Sequence, residues 1–158
     1  MFRTIRRFFT NLKKVILFIP VIWGCPNWDW VGLLIVMQHQ LKQLRKCLDS
    51  GYHKGGGHHA NKIRTCELLI DRLIQDNYCE YEMEQHSLKW GELKISFTPH
   101  STNSHKAVLF RKNVITKKDE EVETNESKKI YKHEEYMKKQ DINYLFDTIK
   151  KNLTSWWD

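Results

Sequence analysis

The histidines come nearest to a pattern with chemistry in it. His53, His58 and His59 fall within seven residues, and imidazoles at that density can hold zinc or another divalent ion. His86 or Cys79 could join them from elsewhere in the chain. The spacing matches no metal motif with a mechanism behind it, and the three glycines Gly55, Gly56 and Gly57 make the segment pliant. The expectation is a solvated connector that holds no metal, and no cofactor is expected in the chain. The same run, Lys54-Gly-Gly-Gly57, leads into a helix N-terminus, where free N–H groups attract anions. A phosphate loop needs G-x-x-x-x-G-K-[ST] after a strand. Here the glycines follow a helix and the Lys-Ser/Thr ending is missing, so a plain helix–helix connector is expected.

Carboxylates are the next candidates. Glu120-Glu121 and Glu134-Glu135 could do acid–base work, but they sit beside Lys117, Lys118, Lys138 and Lys139 in helical runs. That is the pattern of a salt-bridged, solvated helix surface. Asp76 is isolated, and Asp71 beside Arg72 near an apolar face reads as a structural ion pair. There is no G-x-S-x-G and no H-E-x-x-H, and no Cys/His pair can be assembled from sequence. No catalytic residue is assigned. The four cysteines, Cys25, Cys47, Cys66 and Cys79, are widely spaced and form no C-x-x-C. They read as reduced thiols, with Cys47 and Cys66 on apolar helix faces.

What remains is surface chemistry, and it is concentrated at the start of the chain. Arg3, Arg6, Arg7, Lys13 and Lys14 bring five positive charges into the first 14 residues, with no acid among them. The net charge is +7, so the other 144 residues, with 21 basic and 19 acidic groups, are close to neutral. At about 100° per residue Phe2, Ile5, Phe8, Phe9, Leu12, Val15 and Ile16 share one arc of a helix over 2–16, and the five basic residues share the other. The binding candidates are therefore Arg3, Arg6, Arg7, Lys13, Lys14, Phe8 and Phe9. The apolar run Val15 to Trp23 is too short to span a bilayer, and Pro20 interrupts it. It has the order of a signal peptide, but bulky, turn-prone Trp23-Gly-Cys-Pro-Asn-Trp28 supplies no cleavage site.

A chain of 158 residues with 41% hydrophobic and 28% charged residues can fold without disulfides. Its elements read as mainly α: a small helical bundle, made of an antiparallel helix pair plus C-terminal helices, with one small β-hairpin and the N-terminal amphipathic helix. Residues 1–23 form the basic arm and 24–158 a single mainly helical domain. Gly24 to Asn27 is a turn, with Asn27 or Asp29 as the cap of a helix over 28–49. Leu34, Met37, Leu41, Leu44 and Leu48 form its stripe. A partner helix over 59–77 carries Ile63, Cys66, Ile70, Leu73 and Ile74. Residues 78–92 are polar with Tyr78, Tyr81 and Trp90 as anchors. Leu93–Phe97 and Ala107–Phe110 read as paired strands, joined by a connector from Pro99 to His105, and their apolar face should pack on the helices. Thr116 and Asp119 make a capping box, residues 117–129 should be solvated, and Asp141 caps a separate last helix. The shared core should hold Leu41, Leu44, Ile70, Leu73, Leu145, Phe146 and Ile149. Of Trp156-Trp157 near the C-terminus, one should enter the core and the other lie at its rim.

Several stretches stand in a familiar order: Phe18-Ile-Pro-Val-Ile-Trp23, Asn27-Trp-Asp-Trp30, Cys66-x-x-Leu-Ile-x-Arg-Leu-x-x-Asp-x-Tyr78, Lys89-Trp-Gly91, Gln140-Asp-Ile-x-Tyr-Leu-Phe146 and the terminal Trp156-Trp157-Asp158. Over residues 18–158 the chain resembles a group of small uncharacterised proteins encoded by tailed bacteriophages. The resemblance implies a viral origin and an intracellular setting, but no chemistry; the expected location is the host cytoplasm, there or at the membrane periphery, or the virion. Two functional readings follow. One is a non-enzymatic interaction protein whose N-terminal helix docks on an anionic membrane surface or a protein partner. The other is a nucleic-acid accessory protein whose arm contacts phosphates while aromatics stack on bases. The continuous apolar arc separates them, because a phosphate-binding arm does not need one.

Overall fold

The computed structural model describes residues 2–25, 28–50, 55–101 and 104–156. They form helices α1 (Phe2–Trp23), α2 (Trp30–Asp49), α3 (Gly56–Gln75) and α4 (Glu80–Trp90), a hairpin of β1 (Leu93–Ser101) and β2 (Ser104–Arg111), and helix α5 (Lys117–Asn152), followed by a 3-10 turn over Thr154–Trp156. The fold is mainly α with one small antiparallel hairpin, as the periodicity indicates. By contacts the chain divides into two compact units, residues 1–76 with 141–158 and residues 77–140. The arm-and-body boundary at 23/24 is a boundary of composition and charge.

In the first unit Asp29 caps α2, its carboxylate accepting from the Val31 N–H at 3.3 Å. Gln38 of α2 bonds the Asp71 carboxylate of α3, and Arg45 of α2 meets Glu67 of α3 at 2.8 Å. Position rises along one helix as it falls along the other, so the pair is antiparallel. Between them lie Leu34, Leu41 and Leu48 from α2 and Ala60, Ile63, Cys66, Leu69, Ile70 and Leu73 from α3. These steps of three, four and seven are the core face of a 3.6-residue period. Leu145 and Trp156 are also fully buried. Fully burying a side chain of this size stabilises by roughly 1.5–3 kcal/mol.

The same periodicity shows where the expected core was drawn too wide. Asp141, Leu145 and Trp156 are buried and Ile149 is half-buried. Phe146 lies one residue off that line, about 100° round the helix, and stays 46% exposed. Leu44 is half-buried and Cys47 exposed. Nor does Asp141 start a separate helix. Helix α5 runs unbroken through it, since no glycine or proline occurs between Lys117 and Asn152. Buried Asp141 instead pairs with Arg72 at 3.3 Å, so Asp71 and Arg72 turn to different partners. All described cysteines are free thiols.

In the second unit the polar stretch after Tyr78 is helix α4, an element its composition does not advertise. It ends where Gly91 takes φ 83°. A Cβ there would sit in the left-handed region and come within 3.2 Å of the Lys112 Cβ. The strands pair in register, Ile95 with Leu109 and Phe97 with Ala107, and reach further than expected, with an irregularity between Pro99 and Ser101. Their apolar side chains do not find full cover: Ile95, Phe97 and Leu109 are exposed. The hairpin is held at its base. Arg111 donates to the Gly91 carbonyl at 2.7 Å and to Glu123 of α5 at 2.8 Å, while the Asn113 N–H bonds the Trp90 carbonyl. The Thr116–Asp119 capping box forms in both directions and opens α5.

Candidate functional site

The helix that carries the candidate binding residues extends past the expected 2–16. It continues through Pro20 to Trp23. Pro20 removes only the N–H that would bond the Ile16 carbonyl, and it lies in the final turn, where few further bonds remain to be lost. The continuation adds Ile19, Ile22 and Trp23 to the apolar arc, residues that reading Pro20 as a break left out. Arg3, Arg6, Arg7, Lys13 and Lys14 are all exposed on the other side. Phe8 and Phe9 are 63% and 57% exposed and meet edge to face at 5.8 Å.

Where α1 touches its neighbours decides what its apolar arc is free to do. The Phe18 ring lies edge-on to the His39 ring of α2, with centroids 4.7 Å apart. Lys14 borders a groove of about 490 Å³ with Met37, Leu41, Leu44, Ile149 and Trp156. Phe18 and Lys14 lie on the side of the helix turned away from Ile5, Phe9, Leu12 and Ile16. The helix is therefore attached by its back. Its apolar stripe of Ile5, Phe8, Phe9, Leu12, Val15, Ile16, Ile19 and Trp23 is exposed from end to end, roughly 27 Å at 1.5 Å per residue. No helix among the described residues is long and apolar enough to cross a membrane.

His58 and His59 are not in a loop but in the first turns of α3, whose N-cap is Gly55. Their rings contact each other at 5.7 Å, and His53 lies outside the described residues. His86 is buried on α4, with Nε2 3.3 Å from the Ser127 hydroxyl and 3.8 Å from Glu123. Glu134 forms an i,i+4 bridge with Lys138 at 2.8 Å, and Glu120, Glu121 and Glu135 are surface groups of α5. Trp156 is buried, while Trp157 lies outside the described residues.

Cys79 is drawn into a different set of neighbours. It is the N-cap of α4 and is 3% exposed. Its Sγ lies 3.7 Å from Nδ1 of His133 on α5, and that nitrogen is 3.8 Å from Oε1 of Glu82, one turn along α4. Donor atoms of all three lie within 4.8 Å of one another. Burial first, and then the Glu82 and Glu134 carboxylates, push the Cys79 thiol above its ordinary value. Burial pushes Cys66 up to about 11. Activated nucleophilic thiols are shifted the other way. Sequence reasoning missed this trio because His133 stands 54 residues from Cys79, and only tertiary packing unites them.

No family model matches the chain, and no curated protein or solved structure matches it either. The functional reading therefore rests on the chain's own geometry.

Proposed function

We propose that this protein is a non-enzymatic accessory protein that α1 lays on an anionic membrane surface. One observation carries the reading. The apolar stripe from Ile5 to Trp23 faces solvent, while the helix is held to its neighbours from the opposite side. A stripe of that length in water is costly, and an interfacial position buries it to the headgroup boundary while the basic arc faces lipid phosphates. Each basic residue near an anionic surface adds on the order of 1 kcal/mol.

The test is cosedimentation with phosphatidylglycerol-containing liposomes and, separately, with duplex DNA across a salt series. The expected result is liposome binding that weakens by at least about tenfold in Phe8→Ser with Phe9→Ser, all five basic residues retained. Each phenylalanine is worth roughly 1.5–3 kcal/mol when fully buried, and 1.4 kcal/mol is tenfold. DNA binding that falls steeply with salt and ignores the two serines, with no liposome binding, would decide for the nucleic-acid reading instead. Absence of binding to both would leave a protein groove as the partner of the stripe.

A further inference from the structure

We propose that Cys79, Glu82 and His133 form a binding site for a borderline-soft divalent cation of the zinc class. The three bring three different donors to one point: a sulfur, a carboxylate oxygen and an imidazole nitrogen. A tetrahedral zinc with bonds of about 2.0–2.3 Å sets its donors roughly 3.4–3.6 Å apart. The two separations here, 3.7 Å for sulfur to nitrogen and 3.8 Å for nitrogen to oxygen, are within a few tenths of an ångström of that. The third separation, sulfur to carboxylate oxygen, is within 4.8 Å, and rotation of the part-exposed Glu82 side chain is what would bring that oxygen onto the metal.

The scaffold supports the geometry. Cys79 and Glu82 are three apart at the start of α4, where the Met83 N–H closes the first turn on the Cys79 carbonyl at 2.9 Å. Their side chains therefore project from the same side of one turn. His133 comes across from α5. Cys79 forms a buried floor, while the side chains of Glu82 and His133 are 43% and 53% exposed. An ion can thus enter from solvent, and a water can complete the fourth position. Thiolate and imidazole together select zinc or cobalt over magnesium or calcium, which prefer oxygen. Binding forms metal–sulfur, metal–nitrogen and metal–oxygen bonds and releases the thiol proton to solvent, with no change of oxidation state. The site is independent of the reading of α1, since all three ligands belong to the unit formed by residues 77–140.

The full chain, kept reduced with a phosphine, is titrated with cobalt(II) and then displaced with zinc(II). The expected result is a thiolate-to-cobalt charge-transfer band that saturates at one ion per chain, together with tetrahedral visible bands, all abolished by zinc. Cys79→Ser should remove the charge-transfer band. Replacing a group that only supports a metal ligand costs roughly 10–100-fold in affinity, so His133→Ala, at a half-exposed position, should cost at least that. Zinc should raise the melting temperature of the wild type and leave that of His133→Ala unmoved. A missing band would overturn the site. So would a band that His133→Ala leaves unchanged, because the imidazole would then be no ligand, or one that survives Cys79→Ser, because the cobalt would then be sitting on another cysteine.

Discussion

Arg111 brings a permanent charge to the end of β2 with only 6% of its side chain exposed. The Gly91 carbonyl and the Glu123 carboxylate satisfy it, and Glu123 also accepts from the Ser127 hydroxyl at 3.1 Å. A buried charge that loses its partner is expensive. Glu123→Ala should therefore destabilise this unit by about 3–5 kcal/mol, read as a fall in the urea midpoint, and Glu123→Gln, which keeps the hydrogen bonds, by less. A cost near zero for both would mean that water reaches the guanidinium. Glu126 makes the corresponding argument about pH. Lys89 Nζ at 2.6 Å and the Trp90 indole N–H at 2.7 Å hold its carboxyl below the usual carboxylate range. A lowered value in the folded state gives stability that is present above the unfolded value and is lost as pH falls through the folded one. The stability difference between wild type and Glu126→Gln should accordingly be constant near neutrality and shrink in acid. A difference that grew on acidification would contradict the assignment.

Helix α3 is the element whose sequence and packing agree most closely. Ile63, Cys66, Ile70 and Leu73 recur at helical steps and have at most 1% of their surface left in water. Leu73→Ala should cost about 2–5 kcal/mol, since a filled site must become a cavity. Phe146→Ala, on the exposed side of α5, should cost much less. Equal effects in urea unfolding would show that the assignment of faces is wrong. Helices α2 and α3, the amphipathic arm, the capping box and the hairpin were all legible because each is written in local periodicity or turn chemistry. Helix α4 was not, since the run from Glu80 to Trp90 has only His86 and Trp90 buried and so shows no stripe. The continuity of α5 was hidden because Asp141 looks like a cap, and its partner Arg72 lies on a different helix. Of the candidate sites, the exposed amphipathic placement of the seven arm residues was legible from spacing alone. Pro20 masked the further reach of the stripe, and the Cys79–Glu82–His133 trio depends on a contact that spacing cannot show.

Over the whole chain, charge and apolar exposure are gathered in the same place. Five of the seven net positive charges lie in α1, and so does the longest run of exposed large apolar side chains, from Ile5 to Trp23. A stripe of this kind on a protein surface marks a contact made with something else or a liability to self-association. The two possibilities respond differently to removal of the helix. Deleting residues 1–18 gives up the Phe18–His39 ring contact and the border that Lys14 gives the groove, while the buried residues of α2, α3 and the C-terminal segment keep one another. The melting temperature should move by only a few degrees, about what a loss of 1 kcal/mol produces in a chain of this size, and liposome binding should disappear. The truncated protein should also stay monomeric at concentrations where the full chain, without lipid, associates through its stripe. Calorimetry and light scattering on the two proteins check both statements. A large fall in melting temperature would mean that α1 packs against its own chain in solution, and the stripe would then be core, with no apolar face left to reach a membrane.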